Sequence, residues 1–161
     1  MRGHMFEVAT DIDELFSLTE NSLYDSVQAL EVDYVSNVEK EMQHKLVLDF
    51  IHKLESCGAD FEIITVEEGY ECFAVSNITL DVKKNYFKQR FDLMKKLASE
   101  ITLEEFSDNQ NNANLFNLKT SISDDWGDMV YLNYCYYTLD YFIRNADPDF
   151  TYYFGNVVYL H

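Results

Sequence analysis

The sequence predicts a single α+β domain in which three or four helices pack on a small, mainly antiparallel sheet, with a central aromatic-rich helix near residues 123–145. Three observations carry this reading. From about Glu20 to Ser56 the chain has neither Gly nor Pro, and its apolar residues recur at three- and four-residue steps. Residues 61–66 and 70–75 are short β-rich runs separated by Glu67, Glu68 and Gly69. Residues 123–145 hold the only tryptophan, and no charged residue stands between Asp128 and Asp140.

In chain order, residues 1–4 read as a cloning remnant ahead of Met5, so residues 5–161 form the expected domain. Thr10 with Asp13 resembles a capping arrangement, and Ile12, Leu15, Phe16 and Leu18 then suggest a short amphipathic helix. The stretch from Glu20 to Ser56 is one long helix or two joined near 31–36, where Val32, Val35 and Ser36 lower helix propensity; Gly58 supplies the stop. The runs 61–66 and 70–75 predict a β-hairpin. Asn77 or Thr79 opens a helix to about Glu100, with Leu80, Tyr86 or Phe87, Phe91, Met94, Leu97 and Ile101 expected on its buried side. Thr102 and Glu105 form a capping box for a further short helix, and 107–114 reads as an asparagine-rich loop. Residues 115–122 suggest a strand. In the central helix, Ser123 serves as the cap, Asp124, Asp125 and Asp128 as first-turn carboxylates, and Arg144 with Asn145 as the end. Residues 150–154 and 157–160 around Gly155 and Asn156 suggest a closing hairpin, with a single bent strand as the alternative.

Composition is informative about surface chemistry. The 161 residues include 12 Phe and 12 Tyr, enough for a largely aromatic core, so the chain is globular despite its charge. Against 12 Lys and Arg stand 29 Asp and Glu, a formal net charge of −17. Such a surface repels nucleic acid and anionic membranes and speeds encounter with a basic partner through an attraction that salt weakens. The charge is uneven: residues 1–39 carry nine acids and one base, and residues 97–161 carry ten acids and two bases. Six of the 12 bases fall between Lys83 and Lys96 on the exposed side of one helix, where internal ion pairing is the plain expectation. The three cysteines include no CxxC pair, which predicts buried thiols in a reducing, cytoplasmic setting, and no apolar run approaches membrane-spanning length.

Motifs for chemistry are sparse. His44 and His52 share a predicted helix but stand about two turns apart, too far for one ion without further ligands. No phosphate-cradling or nucleophile-elbow glycine pattern occurs, so neither metal nor cofactor is expected and no catalytic residue is assigned. The leading expectation is a non-catalytic acidic binding protein that inhibits or neutralises a basic, nucleic-acid-acting partner such as a nuclease. Carboxylates presented like phosphates would occupy a groove that otherwise takes DNA or RNA. Inhibitors of host defence systems and immunity proteins against nuclease toxins share this general character, and no motif assigns the chain to either group. The candidate partner-binding residues are Asp11, Asp13, Glu14, Glu20, Glu104, Glu105, Asp108, Asp124, Asp125 and Asp128, with Trp126 as an anchor whose ordinary alternative is core packing. The alternative function is an enzyme or small-ligand-binding domain with a tyrosine-lined pocket.

Overall fold

A computed structural model of the chain describes residues 3–15, 23–28, 35–66, 70–107, 113–122 and 127–161. The α+β class holds, but the described residues form six α-helices and a seven-stranded sheet, more of each than the sequence suggests. In chain order the elements are β1 (Gly3–Ala9), a 3-10 turn (Ile12–Glu14), α1 (Leu23–Gln28), β2 (Val35–Asn37), α2 (Lys40–Ser56), β3 (Asp60–Val66), β4 (Tyr70–Ser76) and α3 (Leu80–Glu100). Then follow α4 (Leu103–Ser107), α5 (Ala113–Ile122), β5 (Met129–Leu132), β6 (Cys135–Thr138), α6 (Leu139–Asn145) and β7 (Tyr152–Leu160). The strand order is β3-β4-β7-β1-β5-β6, and β2 pairs with β7 beyond the end of β4. Only β1 and β5 run parallel.

The strand alternation of β1 divides the core into two layers. Phe6 and Val8 point into the larger layer, where Phe50, Ile51 and Leu54 of α2 and Phe142 and Ile143 of α6 cover Phe73, Phe154 and Val157. Met5 faces the other way, with Leu23 and Val27 of α1 over Tyr131, Val158 and Leu160. Ala9, Leu15 and Cys72 form a third, smaller cluster. Gly3 and His4 belong to β1, paired with Leu160 and Tyr159 of β7.

The hairpin of β3 and β4 forms in full register from Asp60↔Ser76 to Val66↔Tyr70. Thr79 caps α3, its Oγ1 accepting from Val82 N, and the capping box closes as Thr102 N donates to Glu105 Oε2 at 2.9 Å while Glu105 N donates to Thr102 Oγ1 at 3.2 Å. The Thr102 N–H holds the exposed Glu105 carboxyl below its ordinary pKa.

Several expectations fail for identifiable reasons. No central helix spans 123–145. Residues 129–138 form the hairpin of β5 and β6 around Asn133 and Tyr134, which both take positive φ, 53° and 61°, as a two-residue turn requires. Its aromatic and β-branched residues suit a pleated surface better than a helix, and helix formation waits until Thr138 caps α6 through Tyr141 N. Asp128 therefore precedes a strand and is not in a first helical turn. Residues 113–122 are helical, not a strand, with Leu115 buried and Phe116 exposed. Of the two readings of Glu20 to Ser56, the one with two helices is the nearer: α1 and α2 are separate, but β2 stands between them at the stretch where β-branched residues weaken helix propensity. Where a helix was expected near Thr10, Asp11 caps a single 3-10 turn by accepting from Asp13 N; its proposed continuation through Phe16 and Leu18 lies outside the described residues. The end of the chain is one bent strand. Gly155 and Asn156 of β7 oppose the single residue Glu7 of β1, a bulge that bends the strand without reversing it.

Candidate functional site

Of the predicted partner-binding residues, Glu20, Asp108, Asp124, Asp125 and Trp126 lie outside the described residues. Asp11, Asp13 and Glu14 are brought together on the 3-10 turn that follows β1, all exposed, with no ion pair among the described residues. Glu104 and Glu105 occupy the first turn of α4, beyond the far end of α3, where Glu105 also accepts from Asn114 Nδ2 at 3.2 Å. Asp128 stands at the opposite end of β1 from the 3-10 turn, with about 17 Å of strand between His4 and Ala9. It accepts from His4 N at 3.0 Å, and its Oδ1 lies 2.8 Å from His4 Nδ1. The described candidate carboxylates thus occupy three separate places and do not merge into one array, and Asp128 is committed to joining β1 to β5.

Two buried carboxylates were not singled out from the sequence. Glu7, 2% exposed, accepts from Asn156 N at 2.9 Å and so satisfies a backbone donor that the bulge frees from the ladder. Burial first, and then the Glu7 carboxylate, pushes the neighbouring Cys72 thiol up. Asp140 is the second. Its Oδ2 pairs with Arg90 Nη1 of α3 and its Oδ1 accepts from Tyr86 Oη at 3.3 Å, while Arg90 also donates from Nε and Nη2 to Ser121 O of α5 at 3.2 and 2.9 Å. A cleft of about 200 Å³ opens over this network, bounded by Lys53, Tyr86, Arg90, Ser121, Asp128 and Asp140. Its polar groups are largely tied to one another, its described lining contains one tyrosine, and no nucleophile faces a positioned base. A guanidinium bonded to two other helices is the arrangement of a clamp.

No three His, Cys, Asp or Glu side chains converge as a metal site among the described residues. His44 lies against the Phe73 ring and 3.7 Å from Glu71, and His52 contacts Phe61 and Glu55. Cys57 and Cys72 are buried free thiols; Cys135, expected to be buried, is exposed at the start of β6. No described helix is long and apolar enough to cross a membrane.

The surface of α3 departs most from its sequence reading. Val82 and Tyr86 are its buried residues, whereas Leu80 and Phe91, expected inside, are 66% and 57% exposed. Leu80, Phe87 and Phe91 line an open groove of about 520 Å³ with Lys83, Lys84, Lys88 and, from α6, Arg144. Among the described residues, internal pairing accounts for little of this positive charge: Lys88 meets Asp92 at 2.6 Å, but Lys83 Nζ donates to the carbonyls of Arg144 and Ala146 at 3.0 and 2.5 Å. The Arg144 guanidinium lies over the Phe87 ring at 4.8 Å and Lys95 Nζ over Phe91 at 5.5 Å. The signal in the sequence was a second apolar stripe on a helix that already had one.

No family model matches the chain, and neither the curated proteins nor the solved structures give a match.

Proposed function

We propose that the protein is a non-catalytic acidic binding protein that inhibits a basic, nucleic-acid-acting partner by occupying its phosphate-binding surface. The observation that supports this reading is the segregation of charge. Asp11, Asp13 and Glu14 project from one tight turn without a neutralising cation among the described residues, and half of the basic side chains stand on α3. A carboxylate group of this kind, on a chain of net charge −17, attracts a cationic groove from a distance and displaces the counterions that phosphates would displace. Because the described candidate carboxylates fall at separate places, recognition rests on a broad field to which the 3-10 turn contributes three exposed carboxylates.

The test is capture from a cell lysate on the immobilised protein, followed by competition with double-stranded DNA. Basic nucleic-acid-binding proteins should be enriched and displaced by the DNA. The triple variant Asp11→Asn, Asp13→Asn, Glu14→Gln should weaken capture about tenfold at low salt and progressively less as salt rises. Capture that ignores salt, DNA and the triple variant alike would sink the proposal.

A further inference from the structure

The groove on α3 has the wrong sign of charge for the partner just proposed. With about 3.6 residues per turn, Leu80, Phe87 and Phe91 fall within about 40° of one another and about 140° around the helix from the buried Val82 and Tyr86. A helix that packs against one core needs one apolar stripe. The second stripe leaves two large side chains more than half exposed and runs for about 16 Å, some three turns. Lys83 and Arg144 on one side and Lys84 and Lys88 on the other flank it.

We propose that this groove is a docking site for an acidic amphipathic helical segment of a partner protein, separate from the carboxylate surface. Four features select this occupant. Cations on both sides of an apolar floor are complementary to a helix whose apolar stripe is bordered by Asp and Glu, and stripe on stripe is the geometry by which helices enter grooves. A small amphipathic anion would need an enclosed pocket and a single cation, whereas this groove is open and its cations are spread along it. Single-stranded nucleic acid would bind by stacking on ring faces, and one face of Phe87 and one of Phe91 are already taken by Arg144 and Lys95. Self-association through two copies of the same face would set cations against cations, so a symmetric dimer is disfavoured.

The probe is a fluorescein-labelled helical peptide with Leu at i, i+4, i+7 and i+11 and Glu at the flanking positions, titrated with the full chain and followed by anisotropy. A scrambled peptide of the same composition and an oligothymidine serve as controls, and sedimentation reads self-association. The peptide should bind. The double variant Leu80→Ser with Phe91→Ser and the charge reversal Lys84→Glu with Lys88→Glu should each weaken it at least tenfold, while circular dichroism stays native, because all four side chains are exposed. The proposal is overturned if the scrambled peptide binds equally, or if either variant binds like the parent. It is also overturned if oligothymidine binds more tightly and is lost in the same variants, or if the chain self-associates through this face in a manner the Leu80 and Phe91 changes abolish. Asp11, Asp13 and Glu14 are unaltered throughout, so failure here leaves the acidic-surface reading standing.

Discussion

Asp140 is a carboxylate that the fold keeps from water, its side chain 6% exposed, and it does so by giving both oxygens partners on α3. Arg90 is bound to α5 and α6 at once, so one guanidinium fixes three helices against one another. Removing one member of such a pair leaves the other charge without compensation, whereas replacing both with apolar groups of similar volume removes the desolvation cost together with the attraction. Asp140→Leu should therefore lower unfolding stability by about 2–4 kcal/mol, and Arg90→Met by somewhat more, because it strands the 6%-exposed Asp140 carboxylate, whereas Arg90 is 25% exposed and keeps its bonds to Ser121 O. The double variant Asp140→Leu, Arg90→Met should be less damaging than the sum by about 1–3 kcal/mol. Urea unfolding at constant slope measures all three. Strict additivity would mean that the pair is not coupled and that α3, α5 and α6 are held by packing alone.

Among the elements, β1 is the one on which the others depend, lying between β7 and the parallel neighbour β5. Its approach to the start of β5 is set by Gly3. A Cβ on Gly3 would lie 2.4 Å from the carbonyl oxygen of Gly127, a clash with backbone that no side-chain rotation relieves, whereas a Cβ on Gly127 would meet nothing. Gly3→Ala should thus shift the urea midpoint downward by the equivalent of about 1–3 kcal/mol, and Gly127→Ala should stay within about 0.5 kcal/mol of the parent. Equal effects would show that strand spacing is not what Gly3 provides. The same strand explains how much of the fold was legible. The β3–β4 hairpin, the Thr79 cap and the Thr102–Glu105 box could be read because each is decided by residues a few positions apart. β1 could not, since Glu7 interrupts its apolar run for the sake of a bulge formed 149 residues later in the chain. The aromatics of β5 and β6 also fit a helical pattern, and only the turn at Asn133 and Tyr134 with the pairing to β1 decides for strands. At the candidate sites, the acidity of the surface could be read from composition, but its division among separate places depends on topology. The α3 groove was hidden because assigning the helix one apolar side placed Leu80 and Phe91 inside.

For the molecule as a whole, the excess of 29 acids over 12 bases sets stability and binding in opposition. Like charges distributed over a small domain repel in the folded state and relax when the chain expands, so part of the folding free energy is offset at low ionic strength. Among the described residues the surface pairs that salt would weaken are few and mostly exposed, such as Lys88 with Asp92, and contribute little; the Arg90–Asp140 pair is too buried to be much screened. Raising NaCl from about 0.02 M to about 0.5 M shortens the screening length from roughly 20 Å to roughly 4 Å, which removes most of the repulsion while sparing the main attraction. The melting temperature should rise by about 2–4 °C for each kcal/mol so recovered, and scanning calorimetry at fixed pH measures it. Over the same range, capture of a basic partner should weaken, because those carboxylates are then screened from its cations as well as from one another. A melting temperature that falls with salt would mean that surface attractions outweigh the repulsion, and the carboxylates of the 3-10 turn, which have no ion pair among the described residues, would then no longer represent the surface as a whole.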